Sequence, residues 1–159
     1  MTATIAMTKK AAFVPMRAAL GATMLYHGAQ KLRGPEEAAG MFESLGFKPG
    51  ERWARVTGLA EVFGGATAIL GIGTRLGALA VLATQAMAIA KVHGPKGFSN
   101  LSGGYEFNLA LIGMAATLLA AGPGVISAHE LLERRVERPA WALARPRRRR
   151  ALRFVKLLK

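Results

Sequence analysis

Four stretches of the chain are predominantly apolar, at roughly residues 12–32, 53–72, 75–92 and 105–122, each close to the about 20 residues that a bilayer core asks of a helix. Only the last is free of interruption. Arg17 and His27 fall in the first, Glu61 falls in the second, and only 15 uncharged residues separate Arg75 from Lys91 in the third. Charges of this kind are costly on a lone helix facing lipid, so the pattern predicts helices that pack together and turn their polar groups inward. Small residues support close packing: Gly58, Gly64, Gly65 and Ala68 on the second stretch and Gly77, Ala80 and Ala83 on the third read as contact faces. The expected fold is all-α, an antiparallel four-helix transmembrane bundle over residues 1–131, followed by a basic, partly amphipathic extension over residues 132–159.

The connections differ in kind. Residues 33–52 hold a Pro-started amphipathic piece (PEEAAGMFESLGF), GIGTR is too short to join anything but antiparallel neighbours, and residues 93–104 form a Gly-rich loop. Lys9, Lys10, Arg17, Arg75 and the Arg-rich end all fall on one side of such a bundle, which by the positive-inside rule places both termini in the cytoplasm. Lys9 and Lys10 followed by an apolar run imitate a secretory leader. Arg17 breaks that run and no small-residue cleavage site precedes Tyr26, so the segment reads as an uncleaved signal-anchor helix.

Composition sharpens the picture at two points. The net charge is +13, yet residues 1–131 carry 11 basic and 7 acidic side chains while residues 132–159 carry 11 and 2, so +9 of the +13 belongs to the extension. Arg147, Arg148, Arg149, Arg150, Arg153, Lys156 and Lys159 head this set, the last three spaced three apart among Leu152, Phe154, Val155, Leu157 and Leu158. That arrangement suits an amphipathic helix on anionic lipid, or docking to an acidic partner subunit; nucleic-acid binding is the weaker reading for a chain set in a bilayer. The second point is the lack of cysteine, which excludes disulfides, thiolate metal ligation and thiol redox chemistry. Scattered histidines make no metal motif, and neither HGPKG nor GIGTR has the strand context of a nucleotide loop.

Placing the ionisable residues by depth collects His27, Lys31, Glu61, Lys91, His93 and Glu106 toward the outer end of the bundle, with Tyr26 and Tyr105 nearby. Such a cluster admits a purely structural reading, in which Glu61 pairs with Lys31 or His27 and Glu106 sits at a helix N-terminus. It also admits a functional one. Carboxylate and imidazole pairs relay protons and hydrogen-bond a quinone head group, and amines attract a small oxyanion. Arg17 and Arg75 stand apart near the inner surface, where they are expected to snorkel to the interface and set topology.

Three segments, RAALGATMLYHGAQKL (Arg17 to Leu32), GLAEVFGGATAILGIGTRLGA (Gly58 to Ala78) and GGYEFNLALIG with GPGVIS (Gly103 to Ser127), carry a polar signature that resembles the DoxX family of small bacterial membrane proteins. The signature comprises Arg17, His27, Lys31, Glu61, Arg75 and Glu106. The resemblance implies a four-helix fold in the bacterial inner membrane. One branch of the family is similar to the membrane subunit of thiosulfate:quinone oxidoreductase, and others associate with membrane redox complexes. It therefore implies a redox or respiratory role with a quinone as possible ligand, no covalently bound cofactor, and partner subunits or a homo-oligomer. Two departures stand out: Ser127, Ala128 and His129 occupy the place where relatives often carry Ser, an apolar residue and Asp, and the Arg-rich extension is an addition. An accessory subunit without catalytic activity is the alternative, and a small-molecule carrier is weaker because four short spans leave little room for alternating access.

Overall fold

The computed structural model describes residues 11–137, and among these the chain is all-helical with no strand. Its helices are α1 (Phe13–Arg33), α2 (Pro35–Ser44), α3 (Gly50–Leu70), α4 (Thr74–Ala88), α5 (Glu106–Ala121) and α6 (Ala128–Glu137). A π-helical turn, Ile89–His93, and a 3-10 turn, Gly94–Lys96, prolong α4, and a second 3-10 turn spans Asn100–Ser102. The basic residues from Arg147 onward lie outside the described residues.

Local chemistry sets the helix ends. Pro15 is tolerated in the first turn of α1, where its missing N–H has no intrahelical acceptor, and Pro35 stops α1 and occupies the first position of α2. Glu36 and Glu37 then sit in the first turn of α2, where the helix dipole favours anions. Helix α3 closes on Gly71 at φ 66°, whose N–H donates to the Thr67 carbonyl at 2.9 Å. A Cβ on Gly71 would also stand 2.5 Å from Arg17 Nη2, so both backbone conformation and space demand glycine.

Helix α3 is the hub, packing on α1, α2 and α4, while α4 packs in turn on α5. Three glycine pairs bring backbones together. A Cβ on Gly28 would meet the Gly58 carbonyl at 2.7 Å, one on Gly65 would meet the Gly21 carbonyl at 2.8 Å, and one on Gly64 would meet the Gly77 carbonyl at 3.0 Å. On α4 the buried face carries Gly77, as expected, with Ala78, Val81 and Gln85, whereas Ala80 is half-buried and Ala83 is exposed; Val81 packs against Gly64. Leu20, Met24, Ala68, Ala78, Val81, Leu111, Ala115 and Leu118 form the apolar middle of the bundle.

Among the described residues, one segment, Thr74–Lys96 with a mean hydropathy of 1.4, is long and apolar enough by length and composition to cross a membrane. Helices α1 and α3 are 21 residues each, about 31 Å at 1.5 Å per residue, and carry more charge; α5 is apolar and 16 residues long.

Candidate functional site

Polar groups collect between the last turns of α1 and the middle of α3. Lys31 lies one turn after His27 on α1, and antiparallel packing brings Glu61 of α3 opposite it: Lys31 Nζ donates to Glu61 Oε2 at 2.8 Å. The side chains are 21% and 6% exposed, so this ion pair is largely withdrawn from solvent. Lys31 Nζ also reaches the His27 carbonyl at 3.4 Å, which binds the amine back to its own helix.

A cavity of about 390 Å³ opens beside the pair, lined by His27 and Lys31 from α1, Glu61 from α3, Gln85 and Ala88 from α4, Phe107, Asn108 and Leu111 from α5, and by His93 and Asn100. All four long helices contribute, which places it on the bundle axis. Asn108 Nδ2 donates to Gln85 Oε1 at 2.8 Å, and Gln85 Nε2 reaches Met24 Sδ at 3.7 Å. Asn108 Oδ1 and one N–H of each amide make no hydrogen bond among the described residues. The π turn directs His93 inward, its ring Nδ1 lying 2.7 Å from the Gly103 carbonyl. A carbonyl can only accept, so Nδ1 carries the hydrogen, and in the neutral ring Nε2 is left as an acceptor.

Of the residues singled out in the sequence, the structure brings His27, Lys31 and Glu61 to this cavity, together with His93. Tyr26 points outward, 62% exposed, with its ring edge-on to His27 and its hydroxyl accepting from Gln30 Nε2 at 3.0 Å. Tyr105 precedes α5 and packs edge-on against Phe98 at 5.5 Å, and Glu106 opens α5 half-buried; neither lines the cavity. Gln85 and Asn108 were missed by the sequence reading, although each is the sole amide within its apolar run. An amide carries no charge and cannot titrate, so it does not stand out as an ionisable residue does, yet when buried it still requires partners.

Arg75 is exposed at the start of α4. Arg17 does not snorkel as expected. It is 4% exposed and ties three segments together: Nε donates to the Ala68 carbonyl at 2.8 Å, Nη2 to Ile69 at 2.7 Å, and Nη1 to Pro123, Val125 and Ile126 at 3.1, 3.4 and 3.1 Å. Carbonyls at the C-terminus of α3 supply the negative potential that a bare guanidinium needs, which is why it can remain inside. The same bonds hold Ile126 at φ 55°, an unfavourable conformation for a β-branched residue. Nearby, His129 is 2% exposed, and neither of its ring nitrogens has a hydrogen-bond partner among the described residues; Nε2 lies 3.5 Å from Glu133 Oε1.

The class defined by these features is a small α-helical bundle with an apolar middle, a buried lysine–glutamate pair beside an axial polar cavity at one end, and a buried arginine at the other. The DoxX family model matches residues 12–94, from the start of α1 through the π turn. That is more than half of the chain, which therefore belongs to the DoxX family and is a membrane protein. No curated protein and no solved structure matches it.

Proposed function

We propose that this DoxX protein is a four-span subunit of a redox or respiratory system in the bacterial inner membrane, both termini cytoplasmic, holding a quinone head group or small anion in the His27–Lys31–Glu61 cavity. The observation that carries the reading is the buried ion pair opening onto an axial cavity with amide and imidazole groups still free to hydrogen-bond. A purely structural pair needs no such adjoining space. Outward-facing Val56, Leu59, Phe63 and Leu70 on α3 and Leu76, Leu79 and Met87 on α4 support lipid contact for these two helices, since their exposed faces are apolar where a soluble bundle would be polar.

The test is extraction of the protein purified from native membranes, followed by mass spectrometry of the extract. Retained quinone or anion, together with loss of activity of the complex in Glu61→Gln, supports the proposal. No retained ligand and an unaffected Glu61→Gln complex would refute it.

The charge of residues 132–159 favours a second reading, in which the chain is a non-catalytic accessory subunit docked to a larger complex or to another copy through its basic extension. Deleting residues 138–159 separates the two. Co-purification with a partner is lost under the second reading, while cavity ligand is kept under the first.

A further inference from the structure

A second cavity, about 290 Å³, adjoins the first and is lined by Met41 and Phe42 of α2, Leu45 just after it, Thr57 of α3, and Thr84 and Met87 of α4, together with Lys91 and Val92. The two cavities share Lys31, Glu61, Ala88 and His93, so the ion pair forms part of the wall between them. One side offers amides and imidazoles, and the other offers mostly thioether, aromatic and aliphatic groups beneath the amphipathic helix α2. Resting on the reading above that the polar cavity binds a ligand, we propose that the ligand is a neutral, lipid-soluble carbonyl compound whose head occupies the polar cavity and whose apolar chain passes into the second one.

Charge argues for a neutral head. Lys31 and Glu61 cancel, Lys91 lies on the second cavity and not the first, and among the described residues no other lysine, arginine or carboxylate lines the polar cavity, so an oxyanion or a phosphate would enter low-dielectric space without a spare cation there. Hydrogen bonding agrees. Ring carbonyls accept from the free N–H groups of Gln85 and Asn108 or from the third N–H of Lys31, and a reduced hydroxyl form donates to His93 Nε2 or Asn108 Oδ1. A compound that binds in both states needs donors and acceptors together, as here. The adjoining apolar space is what distinguishes this ligand from a small water-soluble one, which would leave it unused.

The test is equilibrium titration of the full-length protein in lipid nanodiscs with a decyl-substituted benzoquinone, its chain-free analogue and sulfate. The affinity ratio of long-chain to chain-free probe is compared between wild type and two cavity-filling variants, Thr84→Leu and Thr57→Leu. Partitioning into the nanodisc is common to all proteins and cancels. Lipid solvates the chain as well as an apolar cavity does, so the ratio reads the steric exclusion of the chain from a filled cavity. The expected result is a ratio at least tenfold higher in wild type than in either variant, with sulfate not competing. A ratio that survives in both variants overturns the tail assignment while leaving the polar cavity as a head-group site. Competition by sulfate, or a tightly held phospholipid that neither quinone displaces, overturns the neutral head. Binding of none of the probes removes the ligand-site reading itself, and this inference with it.

Discussion

Lys31 of α1 and Glu61 of α3 form an ion pair 2.8 Å long in the interior of the bundle, and each is the other's only ion-pair partner among the described residues. Neither charge is stable alone in such surroundings. Removing one partner leaves the other buried without compensation, whereas removing both replaces an expensive pair with apolar contact. Lys31→Met should therefore destabilise the protein by about 3–5 kcal/mol, and the double variant Lys31→Met with Glu61→Leu should recover most of that loss. Reversible unfolding in mixed micelles, followed by helical circular dichroism, measures the cycle. Additive losses in the double variant would show that the two charges are not coupled.

Arg17 holds five carbonyls from two chain segments, and lysine has neither the reach nor the fork to replace it. Arg17→Lys should lower stability by about 2–4 kcal/mol, since several buried carbonyls lose a donor. The damage should be local first. Residues 122–127 are expected to become the earliest site of limited proteolysis, and protection equal to wild type there would contradict the assigned role.

His129 is a buried imidazole whose two nitrogens gain no hydrogen bond among the described residues. An unsatisfied buried polar group is a cost, and filling its place with carbon removes that cost. The expectation is that His129→Leu leaves thermal stability unchanged or raises it. A loss exceeding about 2 kcal/mol would mean that the imidazole has a bonding role at this site.

The paired glycines make a sterically strict prediction. Gly28 and Gly58 oppose each other across α1 and α3 with no room for a side chain, since an added Cβ would meet opposing backbone at 2.7 and 3.0 Å. Gly28→Val should prevent the close approach that brings Lys31 to Glu61, abolishing both folding yield and ligand retention. Gly40, with open space around its Cα, is the control, and Gly40→Ala should be silent. Normal yield of Gly28→Val by size-exclusion chromatography would contradict the packing described.

The helical class and the family were legible because they rest on features that survive any packing: apolar runs, and polar residues spaced along them. His27, Lys31 and Glu61 could be placed near one another from helix rise alone. The sequence could not show which of Lys31 and His27 meets Glu61, because that depends on the rotation of α1 about its axis, which the glycine pairs set. Nor could it show that Arg17 turns inward, since its acceptors are main-chain carbonyls that no side-chain pattern announces. Gln85 and Asn108 escaped for a related reason: isolated amides look unremarkable until a partner appears across the helix interface. The ten-residue helix α2, read as an amphipathic piece of the connection, acquires its meaning only when Met41, Phe42 and Leu45 are seen to wall a cavity.

On the proposed reading, the space beside Lys31 and Glu61 is occupied by a ligand in the membrane. Ala88 lines both cavities, so a large side chain there fills them without touching the ion pair's charge. The most direct measurement is the ligand content of protein purified from native membranes, wild type against Ala88→Phe, by organic extraction and mass spectrometry. A near-stoichiometric quinone in wild type and its loss from a folded Ala88→Phe protein is the predicted result. No ligand in wild type, or equal ligand in both, would contradict it.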